Sequence, residues 1–243
     1  MEIFDSWLVN RYIAHRGLHD TEHPENSLSA FQNAIDNGYA IELDVMEIAD
    51  GTPVVFTDDT LKRMTGMDGY VKNISSKDNL KKYKLNGSKE SIPTLKQALK
   101  LIDGKVPVMI DIKNTGKVGS LEESVLAELK KYKGEYAIVS FNPYVLEWFK
   151  KNAPEIWRGQ LASKFKNEKM GCIKKFLLSR MALNKKVSEP HFISYKFNEI
   201  PRVCSTKFKG LPLITWVVSS QHDYMSVVKK CDNIIFEGFT PKI

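Results

Sequence analysis

Short apolar runs alternate with helical patterns along the whole chain, which is typical of βα units built around a parallel sheet. Strands are predicted at residues 11–14, 41–45, 53–56, 107–112, 136–140, 157–161, 191–195, 213–218 and 233–236. The third is predicted to be an accessory strand, because the Asp50-Gly51 turn is too short for a parallel crossover from the second. The remaining strands predict an α/β fold, a (β/α)8 TIM barrel.

The helix between the first two strands is the best marked. Leu28, Phe31 and Ile35 recur on one face of it. Asn26 or Ser27 is placed to cap its first turn, because a short polar side chain there can accept a hydrogen bond from a free backbone N–H. The other helices are less sharply bounded.

A longer polar excursion, at about residues 58–92, separates the accessory strand from a helix that starts near Thr94. It is predicted to be a small insertion on the face of the barrel that carries the active site. A chain of 243 residues is long enough for one large domain with a full core. Residues 1–243 are therefore expected to form a single barrel domain.

Two acidic residues stand two apart in the apolar run Ile41-Glu42-Leu43-Asp44-Val45. Because side chains alternate between the faces of a strand, Glu42 and Asp44 share one face. Carboxylates among apolar neighbours are costly to bury without a positive partner, and a divalent cation is a frequent one. The run therefore indicates a metal site.

A second strand repeats this pattern, with Asp111 and Lys113 on one face. Three acids and a lysine on two strands would suit a cation and a phosphate bound together. A buried ion-pair network, with Glu42 and Asp44 satisfied by Lys113 or Arg16, fits the same pattern. These residues alone leave both interpretations open.

The tripeptide His15-Arg16-Gly17 ends the first predicted strand, where parallel barrels gather their functional groups. Histidine moves protons near neutral pH, arginine binds phosphate with two parallel hydrogen bonds, and glycine lets the backbone pass close to a ligand. A lone histidine there is more often structural. In combination with the acidic pairs, a catalytic role for His15 is favoured.

Composition and charge bear on the location of the protein, the state of its cysteines and its partners. With 42% hydrophobic residues and no long apolar run, no integral membrane segment is expected. The first ten residues lack the pattern of a secretion signal, so a cytoplasmic location is predicted. Cys172, Cys204 and Cys231 lack zinc or redox spacing and are expected to be reduced. The net charge of +7 lies largely in lysine-rich stretches typical of solvated helix faces, so no nucleic-acid partner is predicted.

A set of motifs runs through the chain in order. The N-terminal ones are Tyr12-Ile13-Ala14-His15-Arg16-Gly17, Pro24-Glu25-Asn26-Ser27 with Phe31, Ile41-Glu42-Leu43-Asp44-Val45, Asp50-Gly51, and Pro53-Val54-Val55-Phe56 leading to Leu61-Lys62-Arg63. The later ones are Ile92-Pro93-Thr94-Leu95, Ile110-Asp111-Ile112-Lys113, Ser140-Phe141-Asn142, Thr215-Trp216-Val217 and Ile234-Ile235-Phe236. Together they resemble the glycerophosphodiester phosphodiesterase family over nearly the whole chain.

The resemblance implies a (β/α)8 barrel with a small insertion that hydrolyses a small-molecule glycerophosphodiester to glycerol 3-phosphate and an alcohol. It also implies a divalent cation, Mg²⁺ or Ca²⁺, as cofactor. It assigns the metal to Glu42, Asp44 and Asp111, one proton transfer to His15, the phosphate to Arg16 and Lys113, and the lining of the pocket to Trp216. Trp216 fits a core aromatic of the barrel equally well. The head group of the substrate stays open.

Two positions depart from the family pattern. Asp111 stands where a glutamate is usual, and a shorter carboxylate can still bind a metal directly or through water. Thr57-Asp58 stands where the second catalytic histidine and an aspartate are expected. Threonine does not shuttle protons near pH 7, and general acid–base catalysis is worth about 10²–10⁴-fold in rate.

Three interpretations of Thr57 follow from this departure. The protein is a slow phosphodiesterase, or His19 or His23 replaces the missing group, or the protein is a pseudoenzyme that binds a phosphodiester without turning it over. A sphingomyelinase D-like phospholipase is a further alternative. It is disfavoured because those proteins are typically secreted and disulfide-linked.

Overall fold

The computed structural model describes residues 2–114, 116–166, 171–181, 183–200 and 210–241. Its strands are β1 (Ile13–Ala14), β2 (Ala40–Glu47), β3 (Pro53–Val55), β4 (Val108–Ile112), β5 (Tyr136–Ser140), β6 (Arg158–Ala162), β7 (Phe192–Lys196), β8 (Leu213–Val218) and β9 (Asn233–Phe236). Its α-helices are α1 (Trp7–Asn10), α2 (Leu28–Asp36), α3 (Lys62–Thr65), α4 (Leu95–Ile102), α5 (Ser120–Leu129), α6 (Pro143–Asn152), α7 (Cys172–Ser179) and α8 (Gln221–Val227). Shorter 3₁₀ turns span Ile3–Asp5, Val71–Asn73, Lys77–Lys82 and Phe197–Glu199, and a π turn spans Asn184–Ser188.

All nine predicted strands are present, and their observed ends differ from the predicted ones by at most two residues. The accessory strand β3 is antiparallel to β2, with Val45 opposite Val55, as its short connection requires. Parallel pairing joins β1 to β2, β2 to β4, and each successive pair of strands from β5 to β9, and helices lie between most successive strands. The chain therefore has the predicted (β/α)8 barrel fold.

The chain divides into two compact units. One unit is Ile13–Tyr136, in which β2 pairs in parallel with both β1 and β4. The other unit is Met1–Tyr12 with Ala137–Ile243, in which strands β6 to β9 follow one another as parallel neighbours. A single domain over the whole chain stays a prediction.

Helix α2 begins as predicted, with Ser27 as its cap. The Ser27 hydroxyl accepts a hydrogen bond from the Ala30 backbone N–H at 3.1 Å. Ala30 and Phe31 are fully buried and face the loop after β1. In that loop Gly17 has φ +80°, and a Cβ there would lie 2.9 Å from the Ala30 carbonyl carbon. Only glycine lets the loop and the helix approach so closely.

The segment predicted as an insertion packs a hydrophobic cluster of its own against β2 and β3. That cluster consists of Met46, Ile48, Val54, Phe56, Leu61, Met64, Val71, Ile74, Leu80, Tyr83, Leu85 and Ile92. Burial of this much apolar surface anchors α3 and the neighbouring turns. The helix after it starts as expected, because the Thr94 and Gln97 side chains form a reciprocal capping box.

Two expectations from composition bear on the described residues. No helix among them is long and apolar enough to cross a bilayer. Cys172 and Cys231 are free thiols, and Cys204 lies outside the described residues.

Asn233 offers a test of how the second unit is held together. Its buried side-chain amide donates to the carbonyl oxygens of Leu8 (2.8 Å) and Arg11 (2.7 Å). We expect Asn233→Ala to lower the free energy of unfolding by about 2–3 kcal/mol, because one buried and one partly buried carbonyl oxygen lose their donor. Urea unfolding followed by circular dichroism measures this. Asn152→Ala, which removes an exposed amide bonded to the Trp148 carbonyl, is the matched control, and an equal loss there would contradict the interpretation.

Candidate active site

Parallel pairing of β2 with β4 brings three carboxylates together. Asp44 stands directly opposite Asp111 in the register, and Glu42 lies two residues earlier on the same face of β2. One carboxylate oxygen from each of the three lies within 4.8 Å of the other two. All three residues are buried, with exposures of 4% or less.

Two cations border these acids. Lys113 Nζ lies 2.8 Å from Asp44 Oδ1 and 2.6 Å from Asp111 Oδ2. Arg16 Nε lies 3.1 Å from Asp44 Oδ2, and the Arg16 backbone N–H donates to Glu42 Oε2 at 3.0 Å. The ion-pair network that the residues allowed is thus present: both cations contact Asp44, and Lys113 also contacts Asp111.

This network is short of positive charge, since three buried carboxylates face two cations. Burial raises the pKa of Glu42 well above its usual value, and the charges of Asp44 and Asp111 add to that rise. Burial and the Asp44 charge likewise raise the pKa of Asp111 to about 6, against the lowering effect of Lys113. The pKa of Asp44 is lowered despite burial, because Lys113 and Arg16 lie beside it. A further positive charge would therefore be stabilised here.

The donor set fits a hard divalent cation. Asp111 Oδ1 is buried and accepts no hydrogen bond from the described residues. Buried acceptors of this kind are normally satisfied, so an orphaned one beside two other carboxylates marks a place for a cation. Three carboxylates offer only oxygen ligands, which suit Mg²⁺ or Ca²⁺ better than softer metals.

Thr57 contacts one of these carboxylates directly. Its hydroxyl donates to Asp44 Oδ2 at 2.5 Å, and it accepts a hydrogen bond from Asn26 Nδ2 at 2.9 Å. The same Asn26 amide lies 3.0 Å from Asp44 Oδ2. Thr57 therefore belongs to a hydrogen-bonded group that fixes the Asp44 carboxylate.

The three histidines of this unit differ in their surroundings. His15 lies close enough to Asp44 to help lower its pKa. A ring nitrogen of His19 and one of His15 lie within 4.8 Å of each other, and both residues are half-buried. His23 is instead bonded to Asp20, with Nδ1 2.8 Å from Asp20 Oδ1.

A sequence profile described as the glycerophosphoryl diester phosphodiesterase family matches residues 15–238. The chain belongs to this family. A glycerophosphodiester phosphodiesterase of Caldanaerobacter subterraneus subsp. tengcongensis is 34% identical over 230 residues, which cover 89% of each chain. The chain thus falls among phosphoric diester hydrolases, as the motifs predicted.

Solved structures of similar proteins show the same fold. A phosphodiesterase from Oleispira antarctica, solved in complex with the product sn-glycerol-3-phosphate, superposes with a TM-score of 0.77 at 24% identity. That match covers 93% of this chain and 92% of the other. A glycerophosphodiester phosphodiesterase from Thermotoga maritima superposes with a TM-score of 0.71 at 25% identity, covering 93% of both chains.

Six of the seven residues that the family resemblance singled out lie in one unit of the protein. They are His15, Arg16, Glu42, Asp44, Asp111 and Lys113. Trp216 belongs to the other unit, where it packs edge-to-face against Phe141 with ring centroids 5.5 Å apart. Its assignment to the pocket stays a prediction.

Three polar side chains around this site were not predicted from the sequence. Asn26 was considered only as a helix cap, yet its amide bonds Asp44. Glu25 and Arg63 had no assigned role, and both join the ion pairs that reach Arg16. The sequence did point to these residues, since all three lie in motifs that carry the family resemblance.

Because three buried carboxylates face only two cations, a divalent metal ion should stabilise the folded protein, by an amount that depends on pH. We expect excess Mg²⁺ or Ca²⁺ to stabilise the fold at pH 7.5 by about 2.7 kcal/mol at a hundred times the dissociation constant, measured by thermal unfolding. The pKa of Asp111 is raised, so the free energy of unfolding of the metal-free protein falls as the pH rises from 3.8 to about 6. At pH 7.5, cation binding offsets that loss of stability. At pH 5 the cation competes with the Asp111 proton, so the stabilisation is smaller.

Asp111→Asn should abolish this stabilisation, because it removes a carboxylate from the set. Asp68→Asn, at an exposed position paired with Lys62, is the control and should behave like the parent. An equal metal-dependent shift in Asp111→Asn would contradict the site.

Proposed function

We propose that this chain hydrolyses glycerophosphodiesters to glycerol 3-phosphate and an alcohol with the help of a divalent cation. The observation that carries the proposal is the cluster of buried Glu42, Asp44 and Asp111, bordered by Arg16 and Lys113. The family membership supports it, as does the sn-glycerol-3-phosphate found as product in the Oleispira antarctica relative.

The cation is assigned to the three buried carboxylates. Glu42 and Asp44 supply oxygens from β2, and Asp111 supplies oxygens from β4. A Mg²⁺ or Ca²⁺ held by these residues would supply Lewis-acid polarisation of the phosphate and would help to orient the diester. The carboxylate of Asp111, shorter than the usual glutamate, still lies within the same 4.8 Å cluster, so the substitution keeps the donor set complete.

Arg16 and Lys113 are assigned to the phosphate. Both lie against the acids, so a phosphodiester bound beside the carboxylates meets two fixed positive charges. These charges offset the negative charge that the phosphate carries in the bound diester and throughout the reaction. His15 is assigned to one of the two proton transfers, close to Asp44.

The second proton transfer is assigned to His19. The Thr57 hydroxyl does not ionise near pH 7, and it is engaged with Asp44. His19 is half-buried and reaches within 4.8 Å of His15, whereas His23 is bonded to Asp20 at the surface. Two imidazoles at this separation match the need for one group that takes a proton and one that gives a proton.

The remaining features of the proposal concern partners and location. A small-molecule diester is the proposed substrate, with Trp216 as a proposed contact for its glycerol or alcohol part. A cytoplasmic location and the lack of a nucleic-acid partner stay predictions. Binding to duplex DNA that weakens steeply with salt would contradict the latter.

The test of the proposed function is release of glycerol 3-phosphate from glycerophosphocholine and glycerophosphoethanolamine. We expect the parent protein to release it with Mg²⁺ or Ca²⁺ and to stop when chelator is added, because the buried acids need the cation to bind the diester. Turnover confined to a Thr57→His variant would show that the site lacks its second proton-transfer group, and would favour the pseudoenzyme. No turnover in either protein, with both substrates and both metals, would count against hydrolysis itself.

A pair of histidine variants tests the proposed proton transfer. We expect His19→Gln to lower kcat by about 10²–10⁴-fold, because a glutamine side chain cannot exchange a proton. His23→Gln, in the same loop, is the matched control and should keep the parent's kcat. Equal rates for the two variants would remove His19 from the mechanism.

A further inference from the structure

A chain of ion pairs links the candidate phosphate site to the insertion. Arg16 Nη1 lies 2.6 Å from Glu25 Oε1. On its other side, Glu25 receives both Nη groups of Arg63, at 2.7 Å to Oε1 and 2.9 Å to Oε2. Arg63 Nε in turn donates to Asp58 Oδ2 at 2.6 Å. Glu25 is thus held between two arginines, and Arg63 is held between two carboxylates.

Several features distinguish this arrangement from an ordinary surface ion pair. The side chains of Glu25 and Arg16 are only 15% and 19% exposed. Burial tends to raise the pKa of Glu25, but the hydrogen bonds from Arg63 and the charge of Arg16 outweigh it, so the pKa is lowered. Arg63 binds Glu25 with two parallel hydrogen bonds, a geometry that lysine cannot reproduce.

Arg16 itself is fixed from several sides. Its backbone has φ +55°, its N–H is bonded to Glu42, and its carbonyl oxygen accepts the Asn26 N–H at 2.9 Å. Its guanidinium has Asp44 on the Nε side and Glu25 on the Nη1 side. Because the guanidinium is planar, the hydrogen bond from Nη1 to Glu25, together with the Asp44 charge beside Nε, restricts the direction in which its other N–H groups point.

Arg63 is anchored by the insertion. It lies in α3, next to Met64, which packs in the buried hydrophobic cluster with Leu61. The position of the Arg63 guanidinium therefore depends on the packing of the insertion. Because Glu25 contacts both arginines, the position of the Arg63 guanidinium affects the position of the Arg16 guanidinium.

We propose that Glu25 and Arg63 are positioning residues that hold the Arg16 guanidinium in the orientation that binds the phosphate of the substrate. The proposal rests on the proposed function for the identity of that phosphate. It gives the insertion a role in substrate binding, because α3 carries one of the two residues.

Variants of neighbouring residues in α3 test this proposal. We expect Arg63→Met to raise KM for glycerophosphocholine about tenfold and to change kcat by less than about threefold, because a misdirected Arg16 weakens phosphate binding in ground and transition states alike. Isothermal titration of the Mg²⁺-loaded protein with inorganic phosphate should show the same tenfold loss of affinity. Lys62→Met, which breaks only the exposed pair with Asp68, should match the parent in both measurements.

Glu25→Gln keeps the size of the side chain and guards against a folding defect in Arg63→Met. It should raise KM and the phosphate dissociation constant in the same way. The double variant should be no worse than about the poorer single variant, because both residues act through Arg16. Two merely structural residues would instead give effects that multiply.

The phosphate titration needs no turnover, so it separates this proposal from the proposed function. A parent that binds phosphate without hydrolysing the diester, and loses affinity in Arg63→Met and Glu25→Gln, supports positioning while hydrolysis fails. Equal phosphate affinity in the parent and both variants overturns positioning, even if the parent is an active hydrolase. A parent that binds no phosphate also overturns it.

Discussion

The pairing of Asp44 with Asp111 across β2 and β4 is the constraint on which the site depends. The parallel register sets two carboxylates side by side in a buried strand pair, with Glu42 on the same face. Burying like charges is costly unless cations lie beside them. Lys113 Nζ meets both aspartates within 2.8 Å, and Arg16 meets Asp44 from the other side. The surrounding loops place these two cations beside the aspartates and hold them there.

The backbone of the loop after β1 helps to place Arg16 beside the buried acids. Arg16 takes a left-handed conformation, and Gly17 follows it with φ +80° against the backbone of Ala30. The Asn26 N–H closes the loop on the Arg16 carbonyl oxygen, and the Asn26 side chain reaches Asp44. The start of α2 and the charged site are thus built from the same few residues. A change in this loop acts on folding and on charge placement together.

Thr57 is one of the neutral groups that surround the Asp44 carboxylate. A threonine hydroxyl carries no charge at any working pH, and here it donates to Asp44 while accepting from Asn26. The Asp44 carboxylate is therefore held by neutral donors on one side and by Arg16 and Lys113 on the others. The lowered pKa of Asp44 keeps this carboxylate ionised, and its hydrogen bonds hold it in place.

The strands, the accessory strand, a cap at Asn26 or Ser27 and the shared face of Glu42 and Asp44 could be read from the sequence, because alternation and capping are local properties of the chain. The family motifs were also visible there. The choice of Ser27 as cap, the position of Asp44 opposite Asp111, the contact of both cations with Asp44 and the pairing of Arg63 with Glu25 depend on the folded structure. Register and ion-pair partners join residues far apart in sequence, and no local period encodes which of them meet.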